Sequence, residues 1–157
     1  MKDKEKRILI ILVSALVIVD QIIKIIMYNS KIQIINSIGW GIGVLNNTKS
    51  NNNIAYILFS ILAVIMLIRY ISSNNSYIKM NSRVILSFAI AGAISNAIDR
   101  VWNGGTINYI NIPRFSSLNL AYVYFIITWI GMAFILTLFT RDRIKDKKES
   151  KWKKRLL

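Results

Sequence analysis

Long apolar blocks and short polar stretches alternate along this chain. The first block, "ILIILVSALVIVDQIIKIIMY", covers Ile8 to Tyr28. The second, "IAYILFSILAVIMLIRYI", covers Ile54 to Ile71. The third is built on "VILSFAIAGAISNAI" and, extended by about a turn at its ends, covers 82–99. The fourth, "LNLAYVYFIITWIGMAFILTLF" and its flank, covers 118–140. Each approaches the roughly 20 residues that a helix needs to cross ~30 Å of hydrocarbon. A segment in lipid must satisfy its own backbone hydrogen bonds, so helix is expected in spite of the many β-branched residues. The pattern predicts an all-α membrane protein with four transmembrane helices, forming one integral membrane domain over 1–157.

Two connecting segments have a different texture. "KIQIINSIGWGIGVLNN", Lys31 to Asn47, is β-branched and interrupted by glycines, which predicts strands bent at Gly. "WNGGTINYINI" places an Asn-Gly-Gly turn before apolar residues at Ile107, Tyr109, Ile110 and Ile112, and predicts a turn and a short strand. Together they predict a small extracytoplasmic β platform. "NNTKSNNN", Asn46 to Asn53, is a polar bridge back to the membrane.

Composition sharpens this picture. The chain is 54% hydrophobic, with mean hydropathy +0.45, yet its net charge is +14. The two properties coexist because the cations are segregated. Lys2, Lys4, Lys6 and Arg7 precede the first span, and nine basic residues fill the tail 141–157. Lys79 and Arg83 lie between the second and third spans, with Arg69 nearby. The other two loops hold only Lys31, Lys49, Arg100 and Arg114. The positive-inside rule therefore predicts cytoplasmic termini and places the platform outside. The basic start lacks a small-residue cleavage site, so the first block reads as a retained span and not as a signal peptide. The tail reads as a solvated stop-transfer segment that can also meet anionic lipid headgroups, and not as a nucleic-acid-binding element. Cysteine and histidine are absent, which excludes disulfides, Cys-His nucleophile pairs and the usual zinc sites; no metal and no cofactor is expected.

Ionisable groups inside spans are costly and mark functional candidates. Asp20 and Lys24 lie four residues apart on one face of the first span; the plain reading is a structural ion pair with Lys24 snorkelling outward. Asn96, Asp99 and Arg100 close the third span. Asn119 opens the fourth and can cap it, with Tyr122 one turn on. Of the seven acids, Asp3, Glu5, Asp142, Asp146 and Glu149 lie in the terminal segments. Aspartic-type hydrolysis needs two carboxylates in one site. Here only Asp20 and Asp99 remain, and they form a pair only if they meet.

These residues resemble, over nearly the whole chain, the bacterial lipoprotein signal peptidases (signal peptidase II). "VDQIIK" is similar to the family's Asp-Gln-x-x-Lys signature, through Asp20 and Lys24. "VLNNTKSNNNIAY" resembles the entry to its second helix, with Asn52 at the family asparagine. "AGAISNAIDR" resembles Gly-x-x-x-Asn-x-x-Asp-Arg, through Gly92, Asn96, Asp99 and Arg100. "NGGTINYINI" and "LNLAYVYF" resemble the Gly-x-Val-x-Asp-Phe and Phe-Asn-x-Ala-Asp stretches. The resemblance implies a four-span intramembrane aspartic protease that cuts prolipoprotein signal peptides before a diacylglyceryl-modified cysteine.

It also implies that the two catalytic aspartates fall at Asn108 and Tyr122, where neither is an acid. An amide cannot take a proton from water, and a phenol titrating near ~10 is a poor base at neutral pH. Asn51, and Asn53-Ile54 where a glycine is expected, depart from the pattern too. Asp20, Lys24, Asn52, Asn96, Asp99, Arg100 and Asn119 are retained, and the resemblance gives them roles in supporting the site and contacting the lipidated substrate. The expectation is a catalytically inactive relative in the bacterial cytoplasmic membrane. Its partners would be membrane lipids and either a lipidated prolipoprotein or a related active peptidase. The alternatives are an active aspartic endopeptidase with a non-standard site and a small membrane transport component.

Overall fold

The computed structural model of the protein describes residues 3–30, 35–37, 52–72, 80–112 and 116–153. Most of the loop Lys31–Asn47, the polar bridge as far as Asn51, and the loop cations Lys31, Lys49, Lys79 and Arg114 lie outside the described residues. So do the side chains of Asn52 and Ile54.

Four helices are present among these residues: α1 (Asp3–Asn29), α2 (Asn52–Ser72), α3 (Met80–Asn103) and α4 (Leu120–Lys153). The helices overrun the apolar blocks. α1 begins in the polar arm, where Asp3 and Glu5 occupy the first turn and favour the positive end of the helix dipole. α4 carries the basic tail onward as helix to Lys153. α3 ends at Asn103, and Gly104 then takes φ = 69°, the left-handed conformation that reverses a chain leaving a helix.

That reversal delivers β2. The turn-and-strand expectation for 103–112 resolves into two strands that serve different sheets. β1 (Ile35–Ser37) pairs antiparallel with β2 (Thr106–Asn108), with Ile35 opposite Asn108. β3 (Ile110–Ile112) pairs antiparallel with β4 (Ser116–Leu118), with Ile110 opposite Leu118. Tyr109 joins the two sheets, and its N–H donates to Leu118 O at 3.0 Å. Leu118, at the edge of the fourth apolar block, lies in β4, and α4 begins at Leu120.

α3 is the central helix and packs against each of the other three. Its small residues Ala89, Ala91, Gly92, Ala93 and Ser95 are buried and permit close approach, as is usual where helices meet in lipid. At Gly92 an added Cβ would lie 2.7 Å from Ala121 O, so α4 rests directly on the backbone of α3. Leu9, Leu86 and Ile90 form the apolar core, with Val13, Val64, Leu67, Ile94 and Met132 packed around them. Outside this core, α1, α2 and α4 expose large apolar side chains such as Ile11, Met66, Trp129, Ile130 and Phe134. Apolar residues outside and charged residues inside fit lipid as the surrounding solvent.

α1, α3 and α4 as far as Lys145 are long and apolar enough to cross a membrane, and α2 carries a shorter apolar stretch, Ser60–Tyr70. The molecule is an all-α membrane protein with a small β platform.

Candidate functional site

The charged residues of α1 and α3 meet inside the bundle. Asp20 and Lys24 are one helical turn apart on α1 and face Ser95, Asn96 and Asp99 on α3. Lys24 Nζ lies 2.6 Å from Asp20 Oδ2 and 2.7 Å from Asp99 Oδ2. It also donates to Asn96 Oδ1 at 3.2 Å. The ammonium is wholly buried and points inward, so Lys24 does not snorkel. Two carboxylates within contact distance replace the hydration that snorkelling would have provided. Asp20 and Asp99 do meet, but through a lysine between them and not through a shared proton.

Every carboxylate oxygen in this cluster is engaged. Asp20 Oδ2 also accepts from Ser95 Oγ, and Asp20 Oδ1 accepts the backbone N–H of Ala121 at 3.0 Å. Asp99 Oδ1 accepts from Gln21 Nε2 at 3.0 Å, and Asp99 Oδ2 accepts the N–H of Ile107 at 3.2 Å. Arg100, also buried, donates from its guanidinium to Asn96 O at 3.2 Å, and with it the two acids of this cluster are matched by two cations.

The first turn of α4 is capped by three elements. An α-helix begins with unpaired N–H groups, which are costly to bury. Leu120 N–H donates to the Tyr109 hydroxyl oxygen at 3.0 Å, Ala121 N–H to Asp20, and Tyr122 N–H to Asn119 Oδ1 at 3.2 Å. Asn119 is thus the N-cap residue. Burial is the main cause that raises the Tyr109 phenol above its ordinary value of 10.0. The hydrogen bond from Leu120 opposes that rise, and the charges of Asp20 and Asp99 add to it.

Asn119 also ties the helix to the platform. Its Nδ2 lies 3.0 Å from each of Asn96 Oδ1, Ile107 O and Asn108 Oδ1. An amide nitrogen has two hydrogens, so these three acceptors share them. Ile107 is held at both backbone groups, its N–H by Asp99 and its C=O by Asn119. This fixes β2, and Asn108 is held at 1% exposure.

The structure therefore brings Asp20, Lys24, Asn96, Asp99, Arg100, Asn108 and Asn119 into one buried polar group. Tyr122, partly buried, adjoins it through its N–H bond to Asn119. Asn52 stands at the first residue of α2, and its side chain lies outside the described residues. Sequence reasoning missed Gln21, Ser95 and Tyr109. A signal existed for the first two, since each is a polar residue inside an apolar span and adjacent to a charged or amide residue already singled out. Tyr109 gave none, because its part depends on the position of α4. Among the described residues, no group of three or more acids suited to hold a metal ion is present.

Buried charges in an apolar helical bundle, capped by a small platform, define a polytopic membrane protein with a polar site at one end. A family model described as signal peptidase (SPase) II matches residues 12–140. The chain belongs to the signal peptidase II family. It is similar in fold to a bacterial membrane enzyme solved by the in meso method at 2.3 Å resolution, with TM-score 0.74 and 23% identity over 85% of this chain and 90% of that one. A second bacterial membrane enzyme, solved by the same method at 1.9 Å, gives TM-score 0.71 and 22% identity over 82% and 91%. The search of curated proteins gave no match.

Proposed function

We propose that this chain is a catalytically inactive signal peptidase II relative, which holds a lipidated signal peptide or its prolipoprotein without cutting it, or joins an active peptidase. The observation that carries this reading is the contact between Asn119 Nδ2 and Asn108 Oδ1, at 3.0 Å. The family resemblance puts a catalytic aspartate at 108, and an amide stands there, bonded to the residue that caps α4. The second such position is Tyr122, on that first turn. Neither can act as the base of an aspartic dyad.

The non-standard-site alternative would need Asp20 and Asp99. Both carboxylates are occupied by Lys24, backbone N–H groups and neighbouring side chains, which leaves neither to activate water. A transport role is disfavoured by family membership.

The cation asymmetry supports a bacterial cytoplasmic membrane location with both termini inside. The chain has no native cysteine, so a single cysteine introduced at position 49 reports sidedness. Labelling from outside intact cells is expected, and labelling only after the cytoplasm is opened would overturn the orientation.

The binding reading is tested with a fluorescent diacylglyceryl-modified signal peptide and the full chain in lipid nanodiscs. Saturable binding with unchanged peptide mass is expected, weakened by Asn96→Ala. Binding no stronger than that of the same peptide without its diacylglyceryl group would overturn it.

A further inference from the structure

At the end of the bundle remote from the platform, α1, α2 and α3 leave a groove of about 270 Å³. Leu9 and Val13 of α1, Ile68 of α2, and Ile90 and Ile94 of α3 line it, and Lys6 stands at its mouth. Three serines also line it: Ser87 donates its hydroxyl to Arg83 O at 2.9 Å within its own helix, and Ser14 and Ser72 are exposed. Its walls are mostly apolar, and in a membrane-spanning bundle such a groove suits a hydrocarbon chain.

The mouth is charged. Lys4, Lys6 and Arg7 occupy the first turns of α1, and Arg69 adjoins Ile68 near the end of α2. The opposing acids at that end of α1 are Asp3 and Glu5. Lys6 reaches Asp3 at 3.8 Å, with both side chains open to solvent, and such a pair is weak. The Lys6 ammonium therefore remains able to meet an anion where the groove opens.

We infer that this groove binds one acyl chain of an anionic glycerophospholipid, with the lipid phosphate on Lys6. The apolar walls recognise the chain, and the cation excess selects the headgroup. The inference rests on the chain spanning a membrane. It does not rest on the loss of catalysis and stands whether or not the protein cuts.

Native mass spectrometry of the full chain, released from micelles containing either dioleoylphosphatidylglycerol or dioleoylphosphatidylcholine, tests it. One retained phosphatidylglycerol per chain is expected, favoured roughly fivefold over phosphatidylcholine, as befits one cation near an anionic group. Lys6→Gln should lower that preference by reducing phosphatidylglycerol retention more than phosphatidylcholine retention, whose phosphate is already offset by its choline. Val13→Trp, which fills the groove from within, and Ser14→Trp, which closes it from an exposed wall position, should each reduce retention of both lipids. Circular dichroism confirms that the variants keep their helix content, and the exposed Ser14 position keeps the test valid if Val13→Trp does not fold. Equal retention of the two lipids by the unaltered chain would overturn the inference. So would a preference untouched by Lys6→Gln, or retention untouched by a folded tryptophan variant, since the lipid would then sit elsewhere on the basic surface.

Discussion

Asp20, in the second half of α1, accepts the backbone N–H of Ala121 at the start of α4, 3.0 Å away and 101 residues further along the chain. The same carboxylate binds Lys24, which also binds Asp99, and Asp99 fixes Ile107 of β2. One buried ion cluster thus joins α1 to α3 and holds α4 and β2 against them.

Lys24→Met should accordingly be severely destabilising. It leaves two carboxylates buried without their cation, a change that costs about 3–5 kcal/mol. A fall in Tm on the order of 10 °C is expected for a chain of this size. Asp20→Asn and Asp99→Asn, added to Lys24→Met, should recover part of the loss, because the three groups act together. A Lys24→Met protein with unaltered Tm would show that the cluster does not support the fold.

Gly92→Ala should destabilise through the α3–α4 contact. Its Cβ would meet Ala121 O, a backbone atom, at 2.7 Å. Overpacking of this kind costs about 1–3 kcal/mol. Gly131→Ala would meet the side chain of Ile85 at 2.9 Å, and that side chain can move, so its loss should be smaller. Thermal unfolding of the two variants in detergent checks the order; a larger loss for Gly131→Ala would contradict it.

Tyr109 should make the protein sensitive to alkali. Its phenol is raised above 10.0, chiefly by burial, so the unfolded chain releases this proton at a lower pH than the folded one. The contribution is therefore intact below about pH 10 and is lost as pH rises through the higher folded value. Denaturant midpoints followed from about pH 8 to about pH 11 should fall more steeply for the unaltered protein than for Tyr109→Phe. Parallel curves would remove Tyr109 as the cause.

The helices were legible in the sequence because lipid imposes length and apolarity on them. Their ends were not: α1 and α4 continue into polar sequence, where hydropathy gives no signal and side-chain capping and charge take over. The turn before β2 was legible from Asn103, Gly104 and Gly105. The division of the following residues between two sheets was not, since pairing depends on partners at 35–37 and 116–118. In the site, Asp20, Lys24 and Asp99 stood out as charges in apolar surroundings. The inward course of Lys24 depended on a second carboxylate delivered by another helix, so i, i+4 spacing on α1 alone pointed to the wrong orientation.

Restoring acids at the two family positions should be informative only in combination. Asn108→Asp or Tyr122→Asp alone supplies one carboxylate without a proton-sharing partner, and neither should cleave. The double variant supplies both and removes the bulk of the phenol. Weak cleavage of a diacylglyceryl-modified prolipoprotein is expected, limited by Asn51 and Ile54, since misplacement of a substrate by ~1 Å can cost roughly 100-fold. Cleavage by either single variant equal to that of the double would contradict the dyad argument.

Loss of catalysis on a retained scaffold is checked with the unaltered chain. Purified protein in lipid nanodiscs is incubated with diacylglyceryl-modified prolipoprotein, and the release of free signal peptide is followed by mass spectrometry. No release above a protein-free control is expected. Release that depends on the chain, and disappears with Asp20→Asn or Asp99→Asn in a variant that remains folded, would contradict it and assign the chemistry to those two acids.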